Sequence, residues 1–331
     1  MRQINLGIIG TGWCGGIRAV TASRSPLVNE LHLAEINPER LEQISAQTNP
    51  TRATDDWAEL VNNPDIDAII VSATPEHLHH PMTKAALEAG KHVLCEKPIG
   101  LSSSEAQQLV AAARLYPKLK VMEAFMYRHH PQWRKSLQLI AEGGIGELRT
   151  VDSVFSYWNV DPDNIRNQGD IGGGGMMDIG CYCVSLSRLV FQSEPIRVMG
   201  AVQSDPVFQT DRMASGVLEF AGGTATFTCS TQLSPYQRVN IFGTEGRIEI
   251  EIPFNAPPDR ACRLWHQRGA TTTEHVVDVC DQYIIQGDLF ARAILDDTPV
   301  PTPLDDAVHN MRVIEAVLAS ARDNAWVPMV A

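Results

Sequence analysis

The sequence predicts two domains: an N-terminal α/β domain with a doubly wound parallel sheet, and a C-terminal α+β domain built on a mostly antiparallel sheet. Three observations support this prediction. The 331 residues correspond to two domains of about 100–200 residues each. Strand and helix patterns alternate along residues 1–124, which is typical of a parallel sheet covered on both faces. In residues 125–331, short strand patterns separated by tight turns indicate an antiparallel sheet.

In the N-terminal domain, continuous apolar runs predict strands that are buried on both faces. The predicted strands are 4–10, 31–35, 68–73, 92–96 and 120–124. The predicted helices are 13–23, 38–47, 55–62, 79–89 and 103–115. Pro38 suits a first helical position, and Gly90 is the glycine expected just after a helix end.

In the C-terminal domain, turn signals such as Gly222-Gly223 separate several of the strand patterns. The predicted strands are 148–157, 197–203, 216–220, 224–232, 238–242 and 247–252. The predicted helices are 176–191, 282–295 and 304–324.

Composition excludes several classes of protein. A net charge of −12 argues against a nucleic-acid partner and against attraction to anionic membranes. No run approaches 18 apolar residues, so no membrane span is expected. The seven cysteines contain no C-x-x-C pair, so we expect no metal site and read them as reduced thiols. The N-terminus shows no secretory leader pattern, and we therefore expect a cytoplasmic protein.

A glycine-rich turn follows the first predicted strand and opens the first predicted helix. It has the spacing G-x-G-x-x-G, in which the glycines allow a tight turn, close approach of a pyrophosphate, and close packing of helix on strand. The amides at the helix N-terminus favour phosphate binding. We therefore predict a dinucleotide site with contacts at Gly10, Thr11, Gly12, Trp13, Cys14 and Gly15.

Glu35 lies at the end of the second predicted strand, 25 residues after Gly10. A carboxylate at this point accepts hydrogen bonds from the adenosine ribose and repels a 2′-phosphate. No arginine follows it directly, so the sequence favours NAD as cofactor, with NADP possible. Further candidate cofactor contacts follow strand 68–73. They are Ser72, Thr74, Pro75 and His79, and for Ser72 a capped turn is an equal alternative.

Cys95-Glu96-Lys97-Pro98 ends the strand predicted at 92–96. Ligands in open α/β sheets bind at the carboxyl ends of the strands, so Lys97 is a candidate catalytic residue. The alternative is an ordinary surface lysine. Glu96 is a candidate partner of the cofactor or of Lys97, and its alternative role is to orient the turn.

A second cluster follows Gly172–Gly175. Asp178 and Tyr182 are four residues apart and share one face of a helix. A tyrosine next to a cation can act as a general acid–base, and Lys97 is a candidate for that cation. The alternative for Tyr182 is core packing with a satisfied hydroxyl.

The sequence resembles the Gfo/Idh/MocA oxidoreductase family over essentially its whole length. The resemblance is carried by Gly10-x-Gly12-x-x-Gly15, by 89–98 with Glu96-Lys97-Pro98, and by 173–182 with Asp178 and Tyr182. With a tyrosine at position 182, the sequence is similar to the branch of the family that contains glucose–fructose oxidoreductase, aldose (xylose-type) dehydrogenases and dimeric dihydrodiol dehydrogenases.

This resemblance implies a Rossmann domain, a large open second sheet that forms homodimer or homotetramer contacts, and a catalytic Lys97 with a cis Lys97–Pro98 bond. It also implies that Arg128 borders the active site and positions substrate. Asn159 and Arg166 lie in a polar loop that either binds substrate hydroxyls or is a solvated connection, and the sequence does not separate the two.

The function predicted from these features is hydride transfer between NAD(P) and a hydroxyl-bearing carbon of an aldose, cyclitol or diol. Tyr182 exchanges the hydroxyl proton, Lys97 assists it, and Asp178 binds a neighbouring hydroxyl. The alternatives are an NAD-dependent hydrolase that works by transient oxidation and a non-catalytic NAD-binding regulator.

Overall fold

The computed structural model describes residues 2–329, and over this range the chain forms two compact units. Unit 1 contains the chain up to Met126 together with Tyr283–Val308, and unit 2 contains Tyr127–Gln282 together with the chain from His309 onwards. Unit 1 extends two residues past the division predicted between residues 124 and 125, and it also includes residues 283–308, which the prediction assigns to the C-terminal domain. Periodicity predicts that a helix buries one face but does not identify what it packs against.

Unit 1 is built on a parallel sheet. Its strands in the described chain are β1 (Ile4–Ile9), β2 (Val28–Ala34), β3 (Arg52–Thr54), β4 (Ala68–Val71), β5 (His92–Cys95) and β6 (Val121–Glu123). Their order is β3-β2-β1-β4-β5-β6 and every pair is parallel. The order reverses between β1 and β4, and such a reversal opens a crevice at the carboxyl ends of these two strands.

The α-helices of the described residues, in chain order, are α1 (Trp13–Ala22), α2 (Pro38–Thr48), α3 (Trp57–Asn62), α4 (His79–Glu88), α5 (Ser103–Leu115), α6 (Pro131–Ala141), α7 (Cys181–Phe191), α8 (Gln282–Leu295) and α9 (Asp305–Asp323). Side chains cap four of them: Asn37, Asp56, Ser102 and His130 each accept a hydrogen bond from a first-turn amide, of α2, α3, α5 and α6 respectively. None of these helices is both long and apolar enough to cross a membrane.

The core of unit 1 joins both parts of the chain that form it. Ile8, Leu33 and Leu94 on the sheet belong to the same buried apolar cluster as Phe290 and Ala291 of α8. Since each fully buried side chain of this size stabilises the fold by about 1.5–3 kcal/mol, α8 is an integral part of this unit.

Unit 2 is built on a larger sheet. Its strands within the described residues are β7 (Leu148–Trp158), β8 (Arg197–Ser204), β9 (Asp211–Phe220), β10 (Gly223–Ser230), β11 (Gln232–Gly243), β12 (Gly246–Ile250), β13 (Cys262–Arg268), β14 (Thr271–Val277) and β15 (Val327–Pro328). The order is β14-β13-β12-β11-β7-β10-β9-β8-β15. Only β7 and β10 pair in parallel among these strands, so the predicted fold class is confirmed.

Two features of unit 2 differ from the prediction. The helix predicted over 176–191 begins as a single π-helical segment, Met176–Gly180, and continues as α7, which packs on β7 and β10. Strands β13 and β14 and helix α6 have no counterpart among the predicted elements.

Candidate functional site

The glycine-rich turn between β1 and α1 has the geometry of a phosphate cradle. Gly10 has φ +83°, and a Cβ there would lie 2.5 Å from the Cα of Ala73. A Cβ on Gly15 would lie 1.9 Å from the carbonyl oxygen of Gly10, so helix and turn meet backbone to backbone. Nothing lies within 4 Å of the corresponding position at Gly12. The turn therefore leaves room for an anion at the N-terminus of α1.

Glu35 is buried and tied to this turn. Its Oε2 accepts hydrogen bonds from the Thr11 amide at 2.7 Å and the Thr11 hydroxyl at 3.0 Å. Its Oε1 accepts one from the Asn37 amide at 3.0 Å. Because a carboxylate offers about four acceptor positions, one remains for a ribose hydroxyl. The next residue, Ile36, is 81% exposed and offers an apolar surface beside the ribose position.

Among the buried polar atoms after β4 that have no partner within the described residues are Ser72 Oγ, Glu76 Oε2 and His79 Nε2. His79 donates from Nδ1 to the Pro98 carbonyl at 2.6 Å, so its Nε2 carries a lone pair. Since a buried polar atom left without a partner costs about 1–3 kcal/mol, these atoms have hydrogen-bonding capacity that a ligand at this edge could use. The cradle and these atoms fit a bound dinucleotide.

The remaining predicted contacts on this edge are placed as follows. Thr74 and Trp13 are both exposed. Trp13 is the first residue of α1, and 73% of it is exposed to solvent. The Thr74–Pro75 and Lys97–Pro98 bonds are both cis, the second as the resemblance implied. Lys97 is half-buried.

Glu96 and Cys14, both predicted to contact the cofactor, also contact each other. The Cys14 thiol donates to Glu96 Oε1 at 3.0 Å, and Arg18 donates from Nε to the same oxygen. Burial raises the pKa of Cys14 to about 12, so this thiol keeps its proton. The Lys97 amide donates to Glu96 Oε2 at 3.3 Å, which agrees with the alternative that Glu96 orients the turn.

In unit 2, Asp178 is held from two sides. The Tyr157 hydroxyl donates to its Oδ2 at 2.5 Å, and Arg166 Nε lies 3.5 Å from its Oδ1. Asp178 is 8% exposed, and the Arg166 side chain is 31% exposed. Of the two predicted residues in the polar loop, Arg166 therefore reaches Asp178. Asn159 instead accepts from Asp161 N at 3.0 Å and from Asn167 Nδ2 at 3.2 Å, within the loop itself.

Asp211, at the start of β9, is seated in the glycine-rich segment. Its Oδ2 accepts from the Met176 amide at 2.6 Å, and a Cβ on Gly174 would lie 1.9 Å from its Oδ1. Burial raises the pKa of Asp211 to about 6, and the charge of Asp178 adds to this, although amides of Met176 and Gly175 oppose it. Asp211 thus caps the π-helical segment that carries Asp178.

Tyr182 lies in an aromatic cluster. Its ring centroid is 5.7 Å from Phe155, 5.5 Å from Phe254 and 5.8 Å from Tyr127, and the residue is 5% exposed. These rings fix the phenol and exclude water from its surroundings.

Arg128, predicted to position substrate, is held by helix α7. Its Nη2 donates to Ser185 Oγ at 2.7 Å, and the Tyr127 hydroxyl lies 2.7 Å from the same atom. The neighbouring His129 and His130 are buried, and burial lowers the pKa of each to about 4. Both rings are therefore neutral at physiological pH, as expected of structural histidines.

Sequence reasoning missed Arg18, Tyr157 and Asp211. Arg18 stands on an amphipathic helix, where a charged residue normally faces solvent. Tyr157 is a strand residue with no local motif, and Asp211 lies 33 residues after Asp178. The four consecutive glycines were an available signal, because a segment without side chains leaves room for a close neighbour.

Two family models match the chain. A model described as oxidoreductase family, NAD-binding Rossmann fold, matches residues 4–125. A model of the GFO/IDH/MocA C-terminal domain matches residues 133–249.

Individual proteins match over almost the whole length. An uncharacterized oxidoreductase of Rhizobium meliloti is 36% identical, covering 98% of this chain and 99% of its own. A D-xylose 1-dehydrogenase (NADP+) of Haloferax volcanii is 31% identical, covering 98% and 99%. The crystal structure of a 3-ketoreductase from Actinomadura kijaniata, in complex with NADP and TDP-benzene, is 27% identical with a TM-score of 0.89, covering 96% and 98%.

Proposed function

Because the chain belongs to the Gfo/Idh/MocA family of NAD(P)-dependent oxidoreductases, we propose that it transfers a hydride between NAD(P) and a hydroxyl-bearing carbon of an aldose, cyclitol or diol. The relatives include a D-xylose 1-dehydrogenase, whose substrate is a polyhydroxylated aldose. The small, hydroxyl-rich substrate class is carried over from such relatives as part of this proposal.

The observation that carries the proposal is the buried Asp178 carboxylate, held by Tyr157 and Arg166 one helical turn before Tyr182. A carboxylate fixed in this way can accept a hydrogen bond from a substrate hydroxyl without reorienting. In oxidation Tyr182, as the phenolate, takes the proton of the reacting hydroxyl as the hydride leaves the carbon, and in reduction the Tyr182 phenol gives that proton back to the oxygen. Lys97 stabilises the phenolate and polarises the substrate oxygen.

The nicotinamide ring accepts or donates the hydride when the cofactor is bound. The residues of this chain that would hold it are Gly10, Gly12 and Gly15 at the pyrophosphate, Glu35 at the adenosine ribose, and the unpartnered atoms of Ser72 and His79. Arg128 and Asn159 are proposed as further substrate contacts; Arg128 Nη2 donates to Ser185 Oγ, and Asn159 Oδ1 accepts from the Asn167 side-chain amide.

The test is a panel of aldoses, cyclitols and diols, each assayed with NAD+ and NADP+ by absorbance of the reduced cofactor. On the best substrate, Lys97→Ala and Tyr182→Phe are expected to lower kcat about 10²–10⁴-fold, the usual contribution of a general acid–base. Lys118→Ala and Tyr116→Phe change residues of the same types outside the proposed site, Lys118 exposed and Tyr116 half-buried, and serve as matched controls. Full turnover in both site variants would overturn the proposal. So would tight cofactor binding without reduction on any member of the panel.

We further propose that the chain prefers NAD to NADP. Glu35 is fixed by three hydrogen bonds, so its charge cannot turn away from a 2′-phosphate, and Ile36 and Asn37 supply no cation. Fluorescence titration should give a lower Kd for NADH than for NADPH. In Glu35→Ser the ratio of the Kd for NADPH to the Kd for NADH should become smaller. Equal affinities in the unaltered protein would contradict this preference.

We also propose a cytoplasmic homodimer or homotetramer that associates through the large sheet. Leu233 and Tyr236 of β11 and Val276 of β14 leave apolar surface exposed on this sheet. The seven cysteines, all within the described chain, form no disulfide. Sedimentation analysis should give an oligomer that Tyr236→Lys weakens, and a monomer at micromolar concentration would contradict the assembly.

A further inference from the structure

Arg18 is a charged residue in the interior of unit 1, with only 1% of its side chain exposed. We propose that Arg18 is a positioning residue for Lys97 and acts through Glu96. The inference rests on the proposed catalytic role of Lys97, and it adds a residue that no motif of the chain marks.

The guanidinium of Arg18 is fixed from two elements. On one side it donates from Nε to Glu96 Oε1. On the other it donates from Nη2 to Gln286 Oε1 of α8 at 2.8 Å and lies 5.2 Å over the ring of Tyr283. Because five donors and a planar shape set its orientation, Arg18 offers Glu96 a rigid partner.

Glu96 passes this constraint to the turn. Its Oε1 also accepts from the Cys14 thiol, and its Oε2 accepts from the Lys97 amide at 3.3 Å. Burial is the largest single effect on Glu96 and raises its pKa, but the charge of Arg18, the hydrogen bonds from Cys14 and Arg18 and the charge of Lys97 together lower the pKa below its ordinary value. The carboxylate is therefore ionised, and Lys97 is a second cation that acts on it.

The rest of the turn is held by other groups. His79 donates to the Pro98 carbonyl at 2.6 Å, and the Ile99 amide donates to Glu123 Oε1 at 2.8 Å. These two hydrogen bonds can hold the turn in place without Arg18. The ion pair between Arg18 and the Glu96 carboxylate, in contrast, is lost when Arg18 is replaced.

An ion pair that only stabilised the fold would not need to contact the turn that carries Lys97. Buried ion pairs are often no more stabilising than apolar residues of similar size. The groups that act on Glu96 are Arg18 and Cys14 from α1 and Lys97 from its own turn, and Tyr283 of α8 acts on Arg18. Without Arg18, the carboxylate is left with Lys97 as its cation, and Lys97 is drawn toward it and away from its catalytic position.

The test compares Arg18→Met with Arg18→Lys. The first readout is independent of turnover: acetic anhydride labels the Lys97 amine over a pH series, and mass spectrometry measures the fraction labelled. In Arg18→Met the midpoint of labelling should move to higher pH by about one unit, because the unpaired carboxylate stabilises the ammonium. The second readout is kcat/KM for the substrate found in the panel, which should fall about tenfold at neutral pH with little change in the Kd of NADH. In Arg18→Lys both the labelling midpoint of Lys97 and kcat/KM should lie close to the values of the unaltered protein.

Arg188→Met is the matched control, because Arg188 is another buried arginine, paired with Glu194 by two hydrogen bonds of 2.7 Å. It should lower thermal stability without moving the Lys97 labelling curve. If Arg18→Met does not fold, Glu96→Gln carries the test, and its labelling midpoint should move to lower pH. Labelling curves that superimpose on the unaltered protein would overturn the inference. Full activity of Lys97→Ala would instead overturn the proposed function and leave the labelling result standing.

Discussion

Replacing Asp211, a half-buried residue whose carboxyl group packs against the glycine-rich segment, with asparagine should change stability in a pH-dependent way. The pKa of Asp211 is raised from the ordinary 3.8 to about 6, chiefly by burial. Since one pKa unit corresponds to about 1.4 kcal/mol, the difference amounts to about 3 kcal/mol. The folded state binds the proton more tightly, so this stabilisation is fully present below about pH 3.8 and is lost as the pH rises through 6.

About half of this loss falls between pH 5 and pH 8, where the protein can be handled. Over that interval the free energy of unfolding of the unaltered protein should fall by about 1.5 kcal/mol more than that of Asp211→Asn. Urea unfolding followed by circular dichroism at several pH values measures both curves. Asp170→Asn changes an exposed acid of the same segment and should leave the pH dependence unchanged.

Parallel curves for the unaltered protein and Asp211→Asn would refute this reasoning. They would mean that the amides of Met176 and Gly175 stabilise the carboxylate enough to cancel its burial. A steeper curve for the variant would reverse the sign and point to a different titrating group.

Two further predictions concern the cofactor edge. Gly15→Ala should lower both the melting temperature and the affinity for NADH, because the new Cβ would lie 1.9 Å from the Gly10 carbonyl oxygen, whereas Gly222→Ala, with nothing within 4 Å, should change neither. Unchanged NADH titration curves for Gly15→Ala would contradict the tight turn. Glu76→Gln should weaken NADH binding by about 10–100-fold, the cost of one charge-assisted hydrogen bond of about 1.5–3 kcal/mol, if its unpartnered Oε2 accepts a hydrogen bond from a cofactor hydroxyl. An unchanged Kd for NADH would show that Glu76 has no such role.

Much of unit 1 could be predicted because its strands are continuous apolar runs. β4 and β5 are buried at nearly every position, and such runs identify strands without further information. The carboxyl ends of the strands could be located as well, so the sequence could place Glu35 after the second strand and Lys97 after β5. Arg18 could not be found, because its partner Glu96 is 78 residues away along the chain.

Other elements are determined by contacts that a sequence does not display. β13 carries Arg263, His266 and Gln267, and its pairing with β14 includes an ion pair between Arg263 and Glu274 at 3.7 Å. Cross-strand pairs of this kind stabilise a sheet without an apolar alternation. Helix α8 was predicted at its observed bounds, but its place in unit 1 was not.

The return of α8 to unit 1 also sets an order of events during synthesis. The sheet strands of this unit leave the ribosome first, yet the Phe290 and Ala291 side chains that complete its core follow about 170 residues later. At the usual elongation rate this is a delay of roughly 10–30 s, during which the nascent sheet exposes apolar surface. The N-terminal segment therefore cannot complete the core of unit 1 before α8 has been synthesised. A recombination event that transferred only the segment up to residue 126 to another gene would separate this segment from α8, the helix that completes its core.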